Sequence, residues 1–337
     1  MKIFWQEKGD EEGLLVTKTR PVSSFKDVSS RLFFVSDFPL KRKSHLWEGL
    51  PKNLFLIAEE EIKHSLEKTA PQKLTLLERR DQPTFPEWVK ICEKATKAIE
   101  KRRLQKVVLA RHTLLRFKEK IDPWKILSQL GTKETTAFLF QFSPEKAYLG
   151  LTPEKLYTRD KNHIFTESVA GTRPIETDGT ELLKNEKERR EFNFVKQFIQ
   201  ERLSPLCTQF SFEKDDRILR AGHVQHLYNL GKGILKEAIT DELLLQTLHP
   251  TPAVGGTPRD EALSFLKKEP FDRGWYAGAI GWMTPSAASI AVAIRSILIV
   301  GECAHLFAGV GFVEGSDPHK EWEELDIKIS RYLHYFL

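Results

Sequence analysis

FDRGWYAGAIGW (271–282), IAVAIRS (290–296) and LFAGVGFVEGSDPHKEWEELDIK (306–328) follow one another near the end of this 337-residue chain. The first two blocks are apolar and rich in small residues, and a single arginine, Arg295, interrupts the second. An arginine in an apolar strand is costly to bury without an anion. Its partner is either an internal carboxylate or a bound acid. The third block passes from a glycine pair, Gly309 and Gly311, into a helix-like acidic stretch holding Glu321 and Glu324. Glycines at such a turn let backbone N–H groups come close to an anion.

Upstream of these blocks the pattern alternates between strand and helix. KVVLARHTLLRF (106–117) is β-branched and apolar, and TTAFLFQFS (135–143) alternates. KAYLGLTPEKLYTRDKNHIFTESVAGTRP (146–174) predicts short strands with turns at 152–153 and 160–162. WYAGAIGWM, SIAVAIRSILIV and AHLFAGVGFV predict three more strands. Apolar residues at helical intervals predict helices over 87–103 and 181–203, with others over 260–270 and from Pro318 onward. Helices among strands without strict βα alternation favour an α+β body. No composition break divides the chain, so one large domain is expected.

The totals narrow the function. Lys and Arg number 52 against 47 Asp and Glu, a net +5 whose charges are scattered rather than gathered into a basic run, which disfavours a nucleic-acid partner. Cys92, Cys207 and Cys303 are far apart and lack zinc or disulfide spacing. No apolar run approaches the ~20 residues of a membrane helix, and the start MKIFWQEKGDEEG has no signal-like apolar core. A cytoplasmic protein with no membrane partner is expected. Neither a phosphate-cradling GxxxxGK[ST] nor a strand-borne GxGxxG occurs, so nucleotide chemistry has no local support.

Several polar residues stand out. Glu188 with Glu191, and Glu321 with Glu324, are spaced so that each pair shares a helical face. Carboxylate oxygens of this kind suit Mg²⁺, although glutamates on charged helices are commonly solvated. Lys106 heads an apolar strand, where burial would disfavour its ammonium and leave an amine able to act as a base. A strand-edge lysine can equally snorkel to solvent. Glu154 follows a proline turn between apolar strands, a place where a partly dry cavity would keep a carboxyl protonated for use as a general acid.

With HPTPAVGG (249–256) before them, the three C-terminal blocks resemble, in order, the chorismate-binding enzymes, the family of isochorismate, anthranilate, aminodeoxychorismate and salicylate synthases. The resemblance covers 87–335. Residues 1–86 match poorly and are read as the N-terminal part of the same body, leaving 87–337 as the catalytic region. The resemblance implies an α+β fold of two intertwined halves, with large mixed or antiparallel sheets face to face, helices outside and the site in a cleft between the halves.

It also implies roles. A KxRxE helix and an EWxE segment supply the family's Mg²⁺ ligands, matching Glu188, Glu191, Glu321 and Glu324. KVVLAR resembles the strand on which water-adding members carry a general-base lysine, here Lys106; ammonia-using members typically have glutamine there. TPEKL resembles SPExL, whose glutamate, here Glu154, is the expected proton donor to the departing 4-hydroxyl, with Glu167 a rival. In VAGTRP (169–174), Ala170 stands where aminodeoxychorismate synthases often place a nucleophilic lysine. Thr172 is either a donor to substrate or a structural turn residue. Ala253 stands where aminating and salicylate-forming relatives tend to have threonine.

For the substrate's enolpyruvyl carboxylate the resemblance implies a bidentate Arg295, with Tyr276 beside it and the backbone at Gly309 and Gly311 nearby. His226 lines the cavity or is a core histidine. Lys328 pairs with substrate or a ligand carboxylate, or lies on the surface. The expected activity is that of an isochorismate synthase: Mg²⁺-dependent conversion of chorismate to isochorismate by water attack at C2 and loss of the C4 hydroxyl. A salicylate synthase, which goes on to eliminate pyruvate, is the alternative. An anthranilate or aminodeoxychorismate synthase component and a non-catalytic chorismate-binding protein are further ones. A monomer is expected, and menaquinone and siderophore routes both remain open for the product.

Overall fold

The structure of the chain, a computed structural model, describes residues 1–25, 28, 30–43, 45–130, 135–175, 178–221 and 224–336. In chain order the first elements are β1 (Lys2–Gln6), β2 (Gly13–Pro21), β3 (Leu32–Ser36), β4 (Asn53–His64) and β5 (Leu76–Gln82). Then come α1 (Phe85–Glu100), β6 (Lys106–Phe117), α2 (Pro123–Leu130), β7 (Thr136–Ser143), β8 (Lys146–Thr152), β9 (Lys155–Asp160) and β10 (His163–Pro174). The middle holds α3 (Thr180–Lys184), α4 (Glu186–Leu203), β11 (Cys207–Phe212), β12 (Arg217–Ala221) and β13 (Val224–Leu235). The last part is α5 (Asp241–Leu248), β14 (Gly256–Thr257), α6 (Arg259–Leu266), β15 (Ala279–Met283), β16 (Ala287–Val292), β17 (Ser296–Val300), β18 (Cys303–Val313) and α7 (Pro318–Phe336).

Antiparallel pairing joins these strands into one ladder, in keeping with the expected α+β class. One half runs β5–β6–β18–β17–β8–β7, with β14 on the first residues of β6. The other runs β15–β16–β9–β10–β13, with β11 and β12 both on β13. Strands β1, β2, β4 and β3 join the halves, β1 pairing with β7 and β3 with β15. Strands β8 and β9 are consecutive in the chain yet belong to different halves, and so are β16 and β17. The chain therefore crosses between halves at 153–154 and again at 293–295. The two crossings are bonded together: Val292 N–H donates to Glu154 O (3.0 Å) and Leu151 N–H to Arg295 O (3.2 Å).

Helices cover the ladder, α4 lying on β10, and α7 and α1 on β18. The helix expected over 181–203 is two helices, because the Asn185 side chain accepts from Glu188 N (3.1 Å) and caps α4 afresh. The single strand read in SIAVAIRSILIV is also two, β16 and β17, and Arg295 lies in the break between them with φ +49°. Helices α2 and α5 were not foreseen; at eight residues each they are shorter than the stretch over which helical periodicity is read. An aromatic core of Trp47, Tyr148, Trp275 and Phe307 ties β8, β18 and the 271–278 turn together. Cys92 and Cys207 are buried and Cys303 half-buried, all free thiols. Among the described residues no helix is long and apolar enough to cross a membrane.

Candidate active site

The two crossings open onto a cleft holding about 1030 Å³ of empty space, part of it open to solvent. Glu154, Ala170, Glu188, Glu191, His226, Ala253, Tyr276, Arg295, Gly309, Gly311, Glu321, Glu324 and Lys328 all line it. Lys106 lies just beneath its floor. Thr172 is on β10, but its side chain lies outside the described residues.

Lys106 sits opposite Val313 of β18 and Thr257 of β14. Its side chain shares a strand face with cleft-lining Val108 and is fully buried, with Nζ 2.7 Å from Glu191 Oε1, an ion pair rather than an aligned hydrogen bond. Gly311 makes this contact possible. A Cβ there would stand 2.3 Å from Glu191 Oε1 and 2.9 Å from Lys106 Cε. Gly309 likewise leaves room for the Tyr276 hydroxyl, 2.8 Å from where its Cβ would be. Both glycines thus accommodate side chains, a role the sequence reading, which looked to their N–H groups, leaves out.

Glu154 is positioned by its crossing. The Thr152 hydroxyl donates to Val292 O (2.7 Å) and accepts from Glu154 N (3.2 Å), which fixes the TPE turn. Burial lifts the Glu154 carboxyl to about 7, while Lys106, a hydrogen bond from Thr251 and Arg295 hold it down. Such a carboxyl keeps a substantial protonated fraction near neutrality, as a general acid requires. Glu167, the rival, lines a neighbouring cavity with Glu7 and Lys155; Tyr228 donates to it at 3.2 Å.

Elsewhere on the cleft lining, burial and the neighbouring Arg295 push the His226 imidazole down to about 3. It is therefore neutral at ordinary pH. With Nδ1–H directed at Gly171 O (3.0 Å), Nε2 is left to accept from Arg295 Nη2 (3.2 Å). Tyr276 is buried and stacks on Phe307, and its burial raises the phenol above its ordinary value. Lys328 is placed on the cleft wall, not on the open surface: its Nζ is 2.7 Å from Glu324 Oε1 and donates to Gly309 O at 2.8 Å.

The four glutamates come from two helices, Glu188 and Glu191 from α4, Glu321 and Glu324 from α7. They face one space, but among the described residues no three acidic, histidine or cysteine side chains converge closely enough to hold a metal. The sequence reading aimed each pair at one point; here Glu191 and Glu324 instead turn to lysines. The donor set still fits a hard cation, since four carboxylates border one cleft. Glycines at 171 and 311 leave the space that Glu188 and Glu191 occupy.

Sequence reasoning missed the support beneath the cleft. Arg273, fully buried, forms a bidentate pair with Glu269 (2.8 and 2.6 Å) and donates to Val108 O (2.6 Å) and Val254 O (2.9 Å). It thereby clamps the Lys106 strand to the HPTPAVGG loop. The signal was an acid and a base four residues apart in EPFDR (269–273), immediately before the apolar GWYAGAIGW run.

The chain is 37% identical to isochorismate synthase MenF of Bacillus subtilis over 72% of its length and 54% of that relative's. With isochorismate synthase MenF of Escherichia coli it is 30% identical over 97% of its length and 86% of the relative's. It spans about half the length of several relatives, 42% in the case of the chloroplastic isochorismate synthase of Catharanthus roseus. The solved structure of MenF, the menaquinone-specific isochorismate synthase from Escherichia coli, superposes with a TM-score of 0.87 at 26% identity, covering 100% of this chain and 88% of that one. The family model described as "Chorismate binding enzyme" matches residues 27–336, and the chain belongs to that family.

Proposed function

We propose that this chain is an isochorismate synthase, converting chorismate reversibly into isochorismate in the cytoplasm, as a monomer that uses Mg²⁺. The observation that carries the proposal is the pairing of a fully buried lysine, Lys106, with a buried carboxyl lifted to about 7, Glu154, at one cleft. The names of the relatives support the same activity. In this reading residues 1–86 are part of the same body, and 87–337 is the catalytic region.

Arg295 holds the enolpyruvyl carboxylate through two parallel N–H bonds, with neutral His226 behind the guanidinium. Lys106 Nζ, in the neutral form it takes once its proton has left the ion pair with Glu191, accepts a proton from the water that attacks C2, and Glu154 delivers one to the hydroxyl leaving C4. Ala170 and Ala253 keep the pocket free of a lysine nucleophile and a threonine hydroxyl. Glu188, Glu191, Glu321 and Glu324 would hold Mg²⁺, which when bound draws electron density from the ring through its carboxylate. Holding both proton-transfer groups at one ring supplies much of the rate.

Incubation with chorismate and Mg²⁺ followed by product chromatography tests this. Isochorismate is expected from the wild type, and Lys106→Ala should form none while still binding chorismate. Near-normal turnover by Lys106→Ala removes the base assignment; salicylate and pyruvate as products establish the salicylate synthase reading instead. The menaquinone-specific relative suggests one destination for the product, and the salicylate-biosynthesis isochorismate synthase of Pseudomonas aeruginosa, 35% identical, another.

A further inference from the structure

Arg295 adopts a backbone conformation that a residue with a Cβ disfavours. Its φ is +49°, in the left-handed region where side chain and carbonyl crowd one another. Such a conformation persists where its surroundings over-determine it. Two donors do so here: the carbonyl of Arg295 accepts from Leu151 N at 3.2 Å and from the Tyr332 hydroxyl at 2.5 Å. Beneath it, Ser296 Oγ donates to Ala293 O (3.1 Å) and accepts from the Tyr148 hydroxyl (2.8 Å), so the turn leading into Arg295 is fixed as well.

Tyr332 is 4% exposed and stands on α7 one turn beyond Lys328 and two beyond Glu324, on the same helical face. We propose that Tyr332 is a positioning residue for anion capture: its hydroxyl locks Arg295 in the left-handed turn, aims the guanidinium into the cleft, and fixes that guanidinium relative to the helix carrying Glu321, Glu324 and Lys328. A break between two strands would otherwise relax toward extended backbone and swing the side chain away. His226 secures the far end by accepting from Nη2. The inference rests on the reading of Arg295 as the carboxylate anchor.

Tyr332→Phe removes one oxygen and keeps the packed ring. In the full chain, KM for chorismate should rise about fivefold, as expected for one lost hydrogen bond acting through the anchor, with kcat within about twofold. Arg295→Ala should raise KM further, and adding Tyr332→Phe to it should change nothing more, because the tyrosine acts only through the arginine. A purely structural tyrosine would lower the melting temperature and leave KM alone. Calorimetric titration with chorismate gives the same comparison where turnover is weak. The proposal is overturned if Tyr332→Phe leaves KM unchanged while Arg295→Ala raises it, or if the tyrosine's effect persists undiminished in the Arg295→Ala background. If Arg295→Ala itself leaves KM unchanged, the anchor reading fails and takes the proposal with it.

Discussion

Replacing Glu154 with glutamine keeps the shape of the side chain and removes its titration, and the structure fixes what should follow. Burial lifts this carboxyl from 4.5 to about 7. Between those values the folded protein holds a proton that the unfolded chain has released, so the group's contribution to stability falls as pH rises from the lower value through the higher. The gap of about 2.5 units, at about 1.4 kcal/mol per unit, makes about 3 kcal/mol the upper bound of that loss. Glu154→Gln avoids it. Thermal melts should show the variant more stable than wild type at about pH 8 and the two nearly alike at about pH 4, below both values. Activity should move the other way. Loss of a general acid costs about a hundredfold to ten-thousandfold, and the wild-type fall in kcat/KM above about pH 7, tenfold per unit, should be absent from the residual activity of the variant. Activity within about threefold of wild type, or a melting difference independent of pH, refutes the assignment.

Two further outcomes test the surroundings. Glu324→Gln should shift the Mg²⁺ concentration for half-maximal activity upward by on the order of tenfold or more; an unchanged metal response counts against the acidic cluster as the Mg²⁺ site. Glu269→Gln should destabilise the fold by about 3–5 kcal/mol in denaturant titrations, because it leaves the buried Arg273 without its charge partner. A loss below about 1 kcal/mol would mean that the backbone carbonyls of Val108 and Val254 alone satisfy that arginine.

The strands and the long helices were legible because their signals are local: β-branched runs in KVVLARHTLLRF, helical spacing around Phe192, Val195 and Ile199, a proline opening the last helix. The site residues were legible as a set of blocks in a fixed order. What stayed hidden depends on distant pairing. Nothing near Lys106 announces Glu191, and nothing near Arg295 announces that its strand breaks there, since the flanks IAVAI and SILIV are equally apolar and a lone arginine can sit within one strand. The break follows from partners: β16 must reach β9 in one half and β17 must reach β8 in the other. Glu154 and Arg295 occupy two places where consecutive strands pass directly from one half to the other, and the cleft opens beside both of them.

The four strands that join those halves also precede all the others in the chain. On a ribosome β3 is complete long before β15, its partner at residues 280–283, has been made, so the nascent chain carries an open sheet edge until those residues appear. The closing step is a late, long-range one of the kind that folds slowly. This architecture therefore sets a topological timetable: whatever intermediates form during elongation, the seam can be sewn only after the carboxyl-terminal third has emerged.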